Sequence, residues 1–208
     1  MFRISIFGFR IYGLDMRIIS GTSRGRRLAT QRGQAIRPTS DRIKGSIFNS
    51  LGDDVAGKRV LDLFAGTGNL GLEALSRGAK RVVFVEKGRN AVRLIQKNLS
   101  TCGMQMSAEV FTTGTRRAIG IFHQRGESFD LILMDPPYRQ GMVQETLREL
   151  ETEPIYHQGS ILVVQHDRRE PLPDITEGWN VIRERRMGDT VISFLTPKGL
   201  MPVVAVDP

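Results

Sequence analysis

The chain has a single cysteine, Cys102, in 208 residues. A lone thiol makes no internal disulfide and seeds no cysteine-rich metal cluster. That excludes a disulfide-stapled secreted scaffold and a zinc site of the usual kind. It fits a reducing compartment, so a cytoplasmic location with no resident metal is expected. Histidine is scarce too. His123, His157 and His166 are scattered, and each reads as a surface or internally satisfied residue rather than a catalytic one. No apolar run approaches the roughly 20 residues needed to span a bilayer, so no membrane role is expected. Internal repeats and low-complexity tracts are missing as well.

The N-terminal quarter is short of acidic charge. Residues 1–59 hold 12 basic and 4 acidic side chains, while residues 60–208 hold 18 of each, so the whole net charge of +8 lies in the first part. Most of it is arginine, at Arg17, Arg24, Arg26, Arg27, Arg32, Arg37 and Arg42. Guanidinium forks match phosphate geometry. A basic appendage on a neutral domain is the expected footprint of nucleic-acid binding. A solvated basic tail would carry the same charge, but these arginines are spaced within a segment patterned to fold.

Residues 1–15 are apolar, yet glycines and arginines interrupt them, which makes a poor signal peptide. They read as an extension upstream of a natural start at Met16. Residues 16–57 form a basic unit. Stretches 17–20 and 27–30 flank a turn from Gly21 to Gly25, as in a hairpin. Pro38 sets an extended lead-in, and Thr39 or Ser40 can cap a helix carrying Ile43, Ile47, Phe48 and Leu51, with Gly52 to close it. From Lys58 the pattern alternates. Strands are predicted at 59–65, 81–86, 108–112, 129–135 and 159–166, with helices at 69–77, 89–101, 116–124 and 141–150. Stretches 180–187 and 190–196, joined by Gly188-Asp189, read as an antiparallel pair. Repeated strand–helix units predict an α/β fold with a mainly parallel sheet covered on both faces. Ligands then belong beyond the carboxyl ends of the strands. Residues 58–208 would be that domain.

Two motifs fall at such ends. Asp62-Leu63-Phe64-Ala65-Gly66-Thr67-Gly68-Asn69-Leu70-Gly71 puts a glycine turn between the first strand and helix of the domain. The spacing Gly66-x-Gly68-x-x-Gly71 formally matches a dinucleotide fingerprint, so the glycines alone decide nothing. Asp62 places negative charge by the turn, where a pyrophosphate is repelled and an amino group or sulfonium attracted; it would also serve simply as a cap for that turn. Glu86 ends the next strand, where a carboxylate accepts ribose hydroxyl protons. The second motif is Asp135-Pro136-Pro137-Tyr138, after the apolar run 129–134. Two prolines stop the strand and remove two N–H donors. A carboxylate, a carbonyl with few competing donors and an aromatic ring suit a planar ligand bearing an NH₂ group, that is, a nucleobase. The tetrapeptide alone fits a rigid turn equally well.

Together these motifs resemble S-adenosylmethionine-dependent amino-methyltransferases. The N-terminal Met16-Arg17-Ile18-Ile19-Ser20-Gly21, Arg24-Gly25-Arg26-Arg27-Leu28 and Arg37-Pro38-Thr39-Ser40-Asp41-Arg42 narrow the resemblance. So does Glu184-Arg185-Arg186-Met187-Gly188-Asp189-Thr190. Over roughly residues 16–196 the chain is similar to the bacterial small-subunit (16S) ribosomal RNA guanine-N2 methyltransferase D family. The resemblance implies a Rossmann-like class I fold: a mainly parallel seven-stranded sheet with a C-terminal antiparallel hairpin and a small N-terminal β-hairpin plus helix. It implies S-adenosylmethionine contacts at Asp62, Phe64, Ala65, Gly66, Thr67, Gly68, Glu86, Lys87 and Thr115. It assigns catalysis to Asp135, Pro136, Pro137 and Tyr138, and RNA contacts to Arg24, Arg26, Arg27, Arg37 and Arg42. The implied partner is 16S ribosomal RNA, within a small subunit or its precursor, met by a monomer. One departure stands out. The family usually has an acidic residue after the third strand to bind the adenine amine, and Thr115 or Thr113 occupies that stretch here. Three other readings use some of these residues. They are an adenine-N6 methyltransferase with the same tetrapeptide, a non-catalytic RNA-binding relative and an NAD-linked oxidoreductase. The first needs a target-recognition region for which few residues remain. The second would show a broken glycine turn or a lost Asp135. The third leaves Asp62 and the Asp-Pro-Pro-Tyr turn unexplained.

Overall fold

The computed structural model describes residues 16–30, 41–170, 172 and 178–198. Seven strands form one sheet: β1 (Arg59–Asp62), β2 (Arg81–Val85), β3 (Ala108–Phe111), β4 (Phe129–Met134), β5 (Tyr156–Asp167), β6 (Trp179–Met187) and β7 (Thr190–Pro197). Their order is β3-β2-β1-β4-β5-β7-β6. The first five run parallel, and β7 and β6 are antiparallel to their neighbours. This is the class I methyltransferase arrangement expected above. The central strands read Val82-Val83-Phe84-Val85 and Leu131-Ile132-Leu133-Met134 because both sheet faces are covered.

One face carries α1 (Asp41–Leu51), α2 (Asn69–Ser76) and α3 (Arg89–Cys102), packed through Ile47, Phe48, Leu72, Leu75, Ile95 and Leu99. The other carries α4 (Thr115–Gln124) and α5 (Met142–Thr152), through Ile119, Phe122, Val143, Leu147 and Leu150. In α3 the buried Val92, Ile95 and Leu99 recur at the spacing that keeps one stripe inward. Gly71 is fixed by packing, since a methyl there would come within 2.3 Å of the Phe84 ring. No helix among the described residues is long and apolar enough to cross a membrane.

Met16, Ile18 and Leu28 join the same apolar cluster as α1 and the sheet. The expected hairpin over 17–20 and 27–30 takes shape with a single bridge, Arg17 to Arg27. Around that bridge Ile18 N–H donates to Arg26, Leu28 N–H to Met16 and Gly25 N–H to Ile18; the ladder goes no further because the next backbone donors turn to the domain instead. Ile19 and Ser20 N–H donate to Glu73 of α2, and Ala29 N–H donates to Asn98 of α3. Gly21 sits so close to α2 that a Cβ would lie 1.8 Å from the Ser76 carbonyl oxygen. Lys44, fully buried, donates to the Arg17 carbonyl and to Asn69 (2.8 Å) and pairs with Glu73 at 3.5 Å. Burial pulls the Lys44 ammonium down, and the Glu73 carboxylate opposes that shift. α1 ends at Leu51, with Gly52 beyond it as expected. The expected cap at Thr39 or Ser40, the Pro38 lead-in, Arg32, Arg37 and residues 1–15 lie outside the described residues.

Candidate active site

The parallel strands deliver one residue each to the carboxyl edge of the sheet, and the strand order arranges them in a row. Thr115 follows β3, Glu86 follows β2, the Gly66 turn follows β1, Asp135 follows β4, and Gln165 lies near the end of β5. All of these line one open cleft of about 1450 Å³. Backbone pairing continues past the strands and keeps the row in register. Leu63 N–H donates to Leu133, Ala65 N–H to Val85 and Glu86 N–H to Phe111.

In the half of the cleft over β1 and β2, Gly66 has φ of +55°, a left-handed conformation that favours glycine. A Cβ there would meet no atom within 4 Å, because it would point into the cleft. Glu86 organises this turn. Its Oε2 accepts from Gly66 N–H at 2.9 Å and its Oε1 from Gly88 N–H at 2.7 Å. Each oxygen keeps a lone pair for a ligand hydroxyl. Asp62 is buried, and its Oδ2 accepts from Gly71 N–H at 2.9 Å. The turn-capping reading of Asp62 is thus realised, but for one oxygen only. Its Oδ1 is buried with no hydrogen-bond partner among the described residues. Burial pushes the Asp62 carboxyl up to about 7, and the Asp135 and Glu86 carboxylates push the same way against the Gly71 N–H. A cationic ligand group would relieve both the orphaned oxygen and the crowded negative charge.

Thr115 begins α4, and its hydroxyl donates to the Leu63 carbonyl at 3.0 Å. It therefore ties α4 to the end of β1, with its remaining lone pairs as acceptors. Thr113 lines the cleft beside it. Phe64, Ala65, Thr67 and Lys87 also line the cleft; Gly68 lies behind the lining, under Leu72 and Phe84.

The other half is the Asp135–Pro136–Pro137–Tyr138 turn. Asp135 and Tyr138 are half-buried, Pro136 is buried and Pro137 exposed. The Tyr138 hydroxyl accepts from Gln165 Nε2 at 2.9 Å and lies 3.2 Å from the Thr190 hydroxyl of β7. Arg139, at φ +58°, is held by the far side of the loop. Its N–H donates to Glu170, and its guanidinium pairs with Asp167 at 3.0 Å. Glu170 also accepts from Gly141 N–H at 2.9 Å. The Arg169 N–H and the Arg139 guanidinium hold the Asp167 carboxyl below the usual carboxylate range.

Several of these residues were not found by reading motifs. Gln165 had a signal: a single amide ending the apolar run Ile161-Leu162-Val163-Val164. Met16 lines the cleft, with its sulfur 3.9 Å from the Thr67 hydroxyl, and Asn98 donates to the Thr67 carbonyl at 3.0 Å. Glu170, Thr190 and Asn98 act through tertiary contacts that carry no local pattern. Arg24, Arg26, Arg27 and Arg42 are exposed and lie outside the cleft lining. Arg26 also donates to the Thr101 carbonyl at 2.6 Å. His166 is buried and satisfied, with Nδ1 3.0 Å from the Glu170 carbonyl and Nε2 3.0 Å from the Ser193 hydroxyl.

Residues 16–196 match the family described as Conserved hypothetical protein 95. Ribosomal RNA small subunit methyltransferase D of Escherichia coli (strain K12) is 33% identical over 174 residues, covering 84% of this chain and 86% of that protein. Its namesake in Haemophilus influenzae is 32% identical over 183 residues, covering 86% and 92%. The solved structure of Escherichia coli yhhF superposes with a TM-score of 0.78 at 32% identity, over 88% of this chain and 98% of that one. The SMU.776 structure, complexed with SAH, shares the fold at a TM-score of 0.60 and 12% identity over 74% of this chain. The chain belongs to the family so matched, that of the ribosomal RNA small subunit methyltransferase D proteins.

Proposed function

We propose that the chain transfers a methyl group from S-adenosylmethionine to the exocyclic N2 of a guanine in 16S ribosomal RNA. It acts in the cytoplasm, as a monomer, on a small subunit or its precursor. The observation that carries this reading is one cleft holding two unlike sites. One is a carboxylate-rich glycine cradle, and the other is an acceptor turn with an aromatic ring.

The residues present fit the cofactor. Three carboxylates, Asp62, Glu86 and Asp135, face the cleft, which favours a ligand with a sulfonium and an ammonium over a pyrophosphate. The orphaned Asp62 Oδ1 offers a buried acceptor, Glu86 suits ribose hydroxyls, and the bare Gly66 backbone lets a ligand approach closely. Thr115 and Thr113 edge the adenine side with hydroxyls rather than a charge. When bound, S-adenosylmethionine supplies an electrophilic methyl group.

The chain's own residues do the rest. The guanine amine is a poor nucleophile because its lone pair is delocalised into the ring. The Asp135 carboxylate and the Pro136 carbonyl each accept one of its N–H bonds. That draws both protons to one side and aims the lone pair out of the ring plane. Tyr138 stacks on the base, and its hydroxyl, tied to Gln165 and Thr190, fixes the ring. After transfer the nitrogen is acidic and gives its proton to Asp135 or water. Most of the acceleration comes from positioning and preorganised electrostatics. A base reaches such a pocket only out of its stack, so the target guanine lies flipped or in a loop. Arg24, Arg26, Arg27, Arg37 and Arg42 hold neighbouring phosphates.

The test is transfer of label from S-adenosylmethionine to RNA isolated from cells lacking the activity. Label is expected in small-subunit RNA or small subunits and not in large-subunit RNA. No transfer to either, or transfer to the large-subunit RNA alone, would overturn the reading.

A further inference from the structure

The neutrality of residues 60–208 conceals a local imbalance. β6 is the outer strand of the sheet, and residues 183–186 hold three arginines and one glutamate, all exposed. The β6–β7 register sets Arg183 opposite Phe194 and Arg185 opposite Ile192. Cross-strand partners point to the same face. Phe194 and Ile192 pack into the cluster that holds α1 and the N-terminal segment, so Arg183 and Arg185 share that face. Arg183 bears this out, since it donates to the Ser50 carbonyl of α1 at 3.0 Å. The Arg185 side chain makes no hydrogen bond or ion pair among the described residues.

This face leads to the chemistry at its upper end. Met187, at the end of β6, pairs with Thr190, whose hydroxyl lies 3.2 Å from that of Tyr138. At the other side of the same face α1 begins beside the exposed Arg42 and the Arg17–Asp41 pair. Charge on an edge strand has a second use, since it keeps other strands from pairing with it. Either sign serves that purpose. Arginines aligned on the face of a basic unit and running toward an acceptor turn match a phosphate backbone specifically.

We propose that Arg183 and Arg185 of β6 form a second RNA-contacting surface. Through it the RNA crosses α1 from the N-terminal arginines to the β6 edge as its target base enters the cleft. This rests on the proposed RNA substrate.

Arg185→Glu separates the two uses of charge, because it still guards the edge but repels phosphate. Binding to small-subunit RNA would be titrated with salt for the wild type, Arg185→Glu, Arg185→Lys and the Arg183→Glu/Arg185→Glu pair. The slope of log affinity on log salt should become shallower by about 0.7–0.9 for each arginine replaced by glutamate, and Arg185→Lys should restore it. An unchanged cofactor affinity would show that the fold is intact. Arg185→Glu alone keeps the test open if the double variant folds poorly. Wild-type slopes in Arg185→Glu would overturn the surface. Label transfer by the wild type to the same RNA reads the catalytic proposal separately: label with unchanged slopes refutes only the surface, and no label refutes the methyltransferase reading itself.

Discussion

Glu86 braces the cofactor half of the cleft through Gly66 and Gly88, only 20 and two residues away in the chain, whereas Tyr138 is braced by Gln165 and Thr190, 27 and 52 residues on. The first half is a short-range device. A strand end, a glycine turn and the next strand end complete it, and backbone N–H groups do most of the holding. The second half is assembled from the far side of the sheet, by side chains of β5, the segment after it and β7. Bracing from separate parts of the chain makes the two halves separable in energy. Damage to one should leave binding at the other nearly intact.

The largest effect belongs to Asp135→Ala. Loss of a preorganised acceptor should lower the transfer rate by about 10²–10³-fold. Cofactor affinity by calorimetry should stay within a few-fold, since the Gly66 turn and its Glu86 brace remain in place. A large loss of cofactor affinity would dissolve the separation.

Glu86→Ala should act on the other half. Removing charge-assisted bonds worth about 1.5–3 kcal/mol should weaken cofactor binding roughly 10–100-fold. Transfer at saturating cofactor should largely recover. A variant that stays slow at saturation would make Glu86 part of the chemistry.

Asp62 gives a pH signature. Its carboxyl sits at about 7 in the fold against a reference of 3.8. A raised folded value means that the folded state holds the proton more tightly. The stability from this group is therefore present below about 4 and is lost as pH rises through about 7, by on the order of 2–4 kcal/mol in the ligand-free protein. Asp62→Asn should flatten that part of the stability–pH curve and weaken cofactor binding. Calorimetry in buffers of different ionisation heat should detect proton release on cofactor binding near neutral pH in the wild type and none in the variant.

The smallest effect is expected at the latch behind Tyr138. Glu170→Gln leaves an acceptor for either the Arg139 or the Gly141 N–H but removes the charge. Catalytic efficiency on RNA should fall about 3–10-fold through looser positioning, with cofactor affinity unchanged. No change in kinetics would mean that the turn holds itself.

The strands and the two motifs were legible because they are local. Short apolar runs ended by a carboxylate mark the ends of β1, β2 and β4 at Asp62, Glu86 and Asp135, and alternation with helical segments sets the parallel sheet. The row Thr115, Glu86, Gly66, Asp135 follows directly once the strand order is known. The docking of the N-terminal unit was not legible. It depends on Lys44, Glu73 and Asn98, polar groups buried inside apolar surroundings, whose partners are 25 to 69 residues distant. Glu73 does stand out as a carboxylate in the wholly buried helix α2, but nothing in sequence says what it binds. The charge count misled in a similar way. Averaging residues 60–208 to zero hid Arg183 and Arg185, which only the β6–β7 register turns toward α1.

The most direct measurement is the identity of the methylated nucleoside. Small-subunit RNA from cells lacking the activity would be incubated with the wild-type chain and S-adenosylmethionine, digested, and its nucleosides separated and identified by mass. The account predicts N2-methylguanosine, lost in Asp135→Ala. N6-methyladenosine, or any product made equally well by Asp135→Ala, would contradict it.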